Sequence, residues 1–479
     1  MTYLYDRVIG KRKDRFILMK RQLSLFLAMI LLWGLTACST SSDQSSTSTP
    51  ASGSTSAPAA SSDASIYYLN FKPEVAEVYA EIAAAYKAET GVTVNVVTAA
   101  SGGYEQQLKA EIAKADAPTI FQINGPRGYA AWKDYCADLR DSALYEALTD
   151  KSLAVTTSDG GVYGIPNVIE GYGIIVNNAV MERYFALADR NTDVKSLDDI
   201  RSFATLRTVA EDMTAHKEAL GIRGVFASTS LSPGEDWRWH THLANVPVSY
   251  EFKDNGTDLT GDAVGEITFK YSDNFRQLFD LYLNNSVTAP KLLGSKQVAD
   301  SMAEFALGQC AMVQNGNWAW NQIAQIEGNT VRAEDVKFLP LYIGVEGEET
   351  QGLCIGTENF LAINRMATPE KQKMSLDFLY WLYTSETGKR FVTEKLQFIA
   401  PFESFTADER PDDPLAREVV RWMERDDVTT IPWNFTVFPS VAFKEDFGAA
   451  LLGYAQGAKD WTDVVDTVKT RWKEELPGS

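Results

Sequence analysis

Cysteine is scarce in this chain: four in 479 residues, too few for a disulfide scaffold. Cys38 has a separate explanation below. Cys136, Cys310 and Cys354 form an odd set with no close pair, so at least one thiol is free unless chains cross-link. A Cys310–Cys354 bridge stays open on sequence. Metal-ligand spacing is lacking as well; only His240-Thr-His242 comes near it, and inside WRWHTHL it reads as structural. Positive charge is in deficit, with 45 Lys and Arg against 64 Asp and Glu and a net charge of −19. A surface that acidic argues against nucleic acid and against electrostatic docking on anionic lipid. The apolar run from Leu23 to Leu35 is too short for a comfortable membrane span. No internal repeat is visible.

Aromatic residues are plentiful, with 11 Trp and 20 Tyr. Such rings fill cores, and they are also what a carbohydrate site uses. At 479 residues the chain exceeds what one hydrophobic core usually fills, so at least two lobes are expected.

Residues 1–38 read as a lipoprotein signal segment outside the fold. Lys11, Arg12, Lys13, Arg15, Lys20 and Arg21 precede the apolar run, and Leu35-Thr36-Ala37-Cys38 resembles a bacterial lipobox, in which the Cys is lipidated and becomes the mature N-terminus. Met19-Lys20-Arg21 also makes a normal signal start, so Met1 and Met19 both stand as initiation sites. Residues 39–65 are nearly all Ser, Thr, Ala, Pro and Gly, cannot bury a core, and read as a flexible tether. Anchor and tether together describe a protein held at the outer face of a cell membrane.

The body opens with a strand at Ile66–Leu69. Pro73 suits a first helical turn, and Val75, Val78, Tyr79, Ile82 and Tyr86 follow at helical spacing until Gly91. Val92–Val97 is a second strand, Tyr104–Ala115 a helix, and Thr119–Ile123 a third strand. This alternation predicts a mainly parallel sheet under helices, with ligands beyond the carboxyl ends of its strands. In YGIPNVIEGYGIIVN (163–177) a lone carboxylate, Glu170, lies among apolar residues and needs a partner; a polar ligand in a cleft is one, and a core strand with a surface Glu is the plainer reading. The glycines flanking Tyr172 leave the backbone free to bend, as an interdomain crossing requires. Further on, Leu197–Leu220 reads as helix, Ser232–Trp239 as a loop mixing acids with aromatics, Ala311–Val313 as a strand, Gly352–Asn364 as a strand pair or one long strand, and Pro369–Leu396 as helix.

Three stretches, CAMVQNGNWAW (310–320), GIPNVIEGYGIIVN (164–177) and GTENFLAIN (356–364), resemble segments of the bacterial extracellular solute-binding proteins of carbohydrate ABC transporters, the maltose-binding-protein-like family. The resemblance covers 66–479. It implies an α/β, type II periplasmic-binding-protein-like fold: two lobes, each a mainly parallel sheet flanked by helices, hinged by three crossings near 168–173, 336–340 and 397–402. Lobe 1 is then 66–167 plus 341–396, and lobe 2 is 174–335 plus 403–479. It also implies an oligosaccharide as ligand, ABC permease subunits as partners, a monomer, no cofactor and no enzymatic activity.

Residue by residue, Trp318 matches the family's stacking Trp after N-G-x, and Glu170 the acid on the crossing strand. A core Trp is the plainer reading of Trp318, and Trp320 reads as the core residue of the two. Asn124 and Arg127 fall where the family has an acid and an arginine; Asn in place of the acid puts maltose-like specificity in doubt. Lys72 and Glu74 occupy the first polar loop, and merely solvated side chains are the alternative. Trp237, Glu235 and Asp236 lie on the loop that presents an aromatic and an acid from the second lobe. Trp433 stands for the late stacking Trp, with Phe435 and Phe438 competing. Tyr172 and Asn317, beside these, complete the expected sugar-binding set. Paired carboxylates near aromatics also describe glycoside hydrolases, and a surface adhesin is a third class; the lipobox, the tether and the three motifs favour binding and import.

Overall fold

The computed structural model describes residues 65–476 except 101, 229, 258 and 260–263. The signal segment, Cys38 and all of the tether but Ser65 lie outside the described residues. The strands are β1 (Ser65–Asn70), β2 (Thr93–Thr98), β3 (Ile120–Ile123), β4 (Val155–Thr156), β5 (Val162–Gly164), β6 (Glu170–Asn177), β7 (Met312–Gly316), β8 (Val336–Leu339), β9 (Gln351–Gly356), β10 (Phe360–Ile363) and β11 (Thr429–Ile431).

The first sheet runs β10-β3-β1-β2. Its first three chain segments are parallel, as the βαβ pattern predicts, and β10 is antiparallel to β3. The helix Ala76–Thr90 covers it through Tyr79, Ile82 and Tyr86 and stops at Gly91, whose φ of 78° closes the helix in the left-handed region. Leu379, Leu382 and Tyr383 of the helix Pro369–Thr384 join the same core. The expected single helix to Leu396 breaks at Ser385, whose side chain caps the next helix by accepting from Gly388 N.

The second sheet runs β11-β9-β6-β7, with β8 also paired to β6. It is not mainly parallel: β7, β8 and β9 are all antiparallel to β6, and only β11 and β9 run parallel. The chain enters this sheet along β6 and leaves it along β9, so those two strands must oppose. Tyr172, Ile174 and Val176 feed one core of this lobe and Ile175 the other, the alternation a strand covered on both faces requires.

The glycines flanking Tyr172 serve packing rather than bending. A Cβ on Gly173 would lie 2.4 Å from the Leu339 carbonyl oxygen, and one on Gly171 2.7 Å from Val419.

Two expected boundaries move. Residues 336–340 are not a crossing, because the buried run of β8 pairs along β6. Residues 341–356 belong to the second lobe, with Leu341, Tyr342 and Ile343 in its core and β9 in its sheet, so the chain returns to the first sheet at 357–359. The passage expected at 397–402 continues to Asp413, since Glu403 N still donates to Ala147 O and Lys389 still pairs with Glu409. Ile169 N donates to Ile399 O (2.8 Å), so the first and third passages lie side by side.

All three described cysteines are free and buried, which rules out the Cys310–Cys354 bridge in this structure.

Candidate functional site

β6 begins where β7 and β9 end, with Tyr172 opposite Gly316 and Glu170 opposite Gly356. That edge of the second sheet meets the carboxyl ends of β1 and β3 and the start of β10. The residues collected there form two groups.

The polar group centres on Lys72. Asn70 shapes its loop, donating from Nδ2 to Lys72 O (2.9 Å) and accepting from Lys72 N (3.2 Å). Lys72 Nζ then donates to both carboxylate oxygens of Glu170, at 2.8 and 2.9 Å, and lies 3.6 Å from Glu74. Both partners are buried. Burial pulls Lys72 down, but Glu170 and Glu74 more than offset it and the ammonium stays charged; burial raises Glu170, with Lys72 opposing. The partner Glu170 needs is thus Lys72.

Glu358, on the second passage, adds a carboxyl that burial pushes up to about 7 against the pull of Lys72. Asn124 Nδ2 donates to it (3.3 Å), while Asn124 Oδ1 is buried without a partner. Lys444, from the helix Val441–Ala455, acts on Glu358 from the other lobe, its own pKa lowered by burial.

The aromatic group is built on two glycines. A Cβ on Gly316 would sit 2.1 Å from the Trp318 ring, and one on Gly356 2.5 Å from Trp433, so each indole lies against a bare α-carbon at a strand end. The two rings are perpendicular, 6.3 Å apart. Trp237 stands 6.0 Å from Trp318, and His242 lies 5.5 Å from Trp318 and 5.2 Å from Phe435. Trp318 is partly exposed, while Trp433 is buried, and neither Nε1 has an acceptor among the described residues. Rings to stack on, N–H donors with nothing to donate to, and adjacent carboxylates and an amide suit a ligand with flat apolar faces and hydroxyl edges.

The rims of the two lobes touch. A Cβ on Gly125, itself at φ 64°, would fall 2.7 Å from Thr436, and Arg127 Nη2 donates to Glu475 O (3.3 Å).

Several expected contacts are occupied inside the protein. Tyr172 is fully buried, its ring stacked on His242 (4.1 Å, 8°) and its hydroxyl donating to His242 O, so it backs the aromatic group and offers no surface of its own. Asn317 Oδ1 accepts from Gly171 N (2.9 Å) and ties β7 to β6. Asp236 is buried against His240 Nε2 (3.5 Å) and against Gly448, where an added Cβ would come within 1.9 Å of its Oδ2. Glu235 Oε2 accepts from Val298 N (3.3 Å). The H-x-H histidines point to separate partners, and the described residues contain no cluster of three or more metal-ligating side chains. Sequence reading missed Glu358 and Lys444; Glu358 carried a local signal, an acid in the polar turn 356–359, and Lys444 carried none.

A separate groove of about 480 Å³, lined by Phe185, Phe338, Tyr342 and Trp422, shares no residue with this site. Four of its cations are already paired, Lys337 and Arg421 with Glu418, and Arg201 and Arg425 with Asp427.

A family model described as bacterial extracellular solute-binding protein matches residues 81–467. The chain belongs to that family. No curated protein matches it. This solute-binding protein is similar in fold to a chitin oligosaccharide binding protein (TM-score 0.65, 19% identity, 86% of this chain and 98% of that one). It is similar also to the binding protein RafE in complex with raffinose (0.64, 16%, 86% and 99%) and to maltose-bound T. maritima MalE3 (0.62, 14%, 86% and 100%). At these identities the likeness establishes the two-lobed solute-binding fold, and the site's chemistry rests on the residues above.

Proposed function

We propose that this chain is the extracellular, lipid-anchored substrate-binding component of an ABC importer, taking an oligosaccharide between its lobes and delivering it to the permease. The observation that carries this reading is the pairing of the Trp318–Trp433–Trp237 group with the Lys72–Glu170–Glu358–Asn124 group where the two sheets face each other. Rings stack on pyranose faces, and the polar group answers hydroxyls. The names of the structural relatives, which speak of chitin oligosaccharide, raffinose and maltose, support a saccharide. A binding rather than enzymatic role fits carboxylates already committed to Lys72 and to Val298 N.

Cys38 is the proposed lipid attachment point; Cys38→Ala should release the protein from washed membranes. The lobes hinge along the passages at Ile169, 357–359 and 397–413, and a bound sugar favours closure because it touches both.

A thermal-shift screen over maltotriose, raffinose, chito- and xylo-oligosaccharides tests the reading. Stabilisation without the appearance of new reducing ends supports binding. No shift with any saccharide, or hydrolysis of one, rejects it.

A further inference from the structure

Among the described residues, Arg238 is a buried guanidinium with no ion-pair partner. It opens a π-helical turn, Arg238–Leu243, and is only 3% exposed. Its Cζ lies 3.8 Å over the Trp237 ring, and its Nη1 is sealed from solvent with no acceptor among the described residues. Glu235 acts on it electrostatically, yet makes no ion pair with it and is engaged by Val298 N. Burial lowers the guanidinium to about 9, so the cost of leaving it unpaired is felt. Lys72, buried to a similar degree, holds two hydrogen bonds to Glu170. A buried charge left without a counter-ion is expensive, and a fold that keeps one holds it ready for something that arrives.

Other unpaired atoms lie close by. Gln314 holds the Arg238 carbonyl through Nε2 (2.7 Å) and leaves Oε1 buried without a donor. Trp237 links Arg238 to the aromatic group, 4.7 Å from His242 and 6.0 Å from Trp318, whose Nε1 lacks an acceptor. His242 is kept neutral by burial and contributes no competing charge.

We propose that Arg238 recognises a carboxylate on the ligand, so that the saccharide this protein selects carries a uronic acid unit seated beside Trp237. The proposal rests on the saccharide reading of the cleft and names the class of sugar. A neutral sugar supplies hydroxyls that accept from the N–H groups but leaves the charge uncompensated. A carboxylate satisfies both, in the two-pronged geometry that a guanidinium favours. Gln314 Oε1 then accepts from a hydroxyl of the same unit.

The test is calorimetric titration of the full chain with trigalacturonate, with a glucuronate-bearing xylo-oligosaccharide and with neutral maltotriose. Parent, Arg238→Met and Arg238→Lys are compared, and each ligand-free form is melted. At least one acidic probe is expected to bind tenfold or more tighter than maltotriose. Arg238→Met should lose that margin while keeping whatever neutral binding there is, and Arg238→Lys should keep part of it. Ligand-free Arg238→Met should melt at or above the parent, because an unpaired charge has been removed. A lower melting temperature with the acidic preference intact makes Arg238 structural and overturns the proposal. Maltotriose bound as tightly as the acidic probes, and lost in Trp318→Ala, overturns it while leaving the saccharide reading standing. No binding of any saccharide overturns both.

Discussion

Lys72 and Glu170 stand 98 residues apart in sequence and meet through two hydrogen bonds of 2.8 and 2.9 Å. Lys72 follows the end of β1 in the first sheet, and Glu170 is the first residue of β6 in the second. A buried ion pair therefore clasps the two lobes at the floor of the site. The carboxylate is already satisfied before any ligand arrives, so a sugar can claim only the lone pairs that Lys72 leaves.

Breaking this pair on one side should cost far more than removing it whole. Lys72→Met strands a buried carboxylate, for which about 3–5 kcal/mol is expected. Lys72→Met with Glu170→Gln should recover most of that loss. Urea unfolding at pH 7 checks both; a loss under about 1 kcal/mol for Lys72→Met alone would mean that water reaches Glu170 in solution.

Gly173 should tolerate no side chain. With the Leu339 carbonyl oxygen 2.4 Å from an added Cβ, Gly173→Ala must push β6 from β8, at an expected cost of about 1–3 kcal/mol. Gly265, which has nothing within 4 Å of an added Cβ and no left-handed φ, is the control, and Gly265→Ala should stay within about 0.5 kcal/mol of the parent. Equal effects at the two positions would refute the packing argument.

Glu358 should make the fold less stable as pH rises through the range where it titrates. Its carboxyl is raised by burial to about 7 from the ordinary 4.5, so between those values the folded state holds a proton that the unfolded state has released. Stability from this group is then fully present below pH 4.5 and is lost as pH climbs to 7. Glu358→Gln should match the parent's melting temperature near pH 4.5 and exceed it at pH 8. A parent and variant that track each other across the whole range would show the carboxyl to be solvated.

The first sheet was legible because its order is local. β1, β2 and β3 follow one another through single helices, and Ile66, Val92 and Thr119 mark their starts to within a residue. The second lobe was not, because its strands pair with distant ones. Nothing in Gln351–Gly356 says that its partner is β6 rather than β3, and Val336–Leu339, short and interrupted by Lys337, reads as a crossing although it pairs along β6. The same limit applies to the site. Trp318 and Glu170 lie in motif stretches and Trp433 is one of three late aromatics to choose from, but that Tyr172 is sealed behind His242, that Asp236 belongs to His240, and that Lys72 is Glu170's partner are facts of tertiary packing. Arg238 left no trace in sequence, since a lone arginine between two tryptophans looks like a surface residue.

Trp318 and Tyr172 separate ligand contact from support. Trp318 is partly exposed over Gly316, so Trp318→Ala should remove a stacking face and weaken saccharide binding by about 2 kcal/mol or more, roughly thirtyfold in Kd. The ligand-free melting temperature should change little. Tyr172 is 0% exposed and donates its hydroxyl to His242 O, so Tyr172→Phe should do the reverse. It should lower stability by about 1 kcal/mol, the worth of one buried hydrogen bond, and leave affinity near the parent's, because the ring stacked on His242 survives. Titration and ligand-free melting of both variants decide the matter. If Trp318→Ala binds saccharide like the parent and melts lower, the indole is core and the sugar face lies elsewhere among the cleft aromatics.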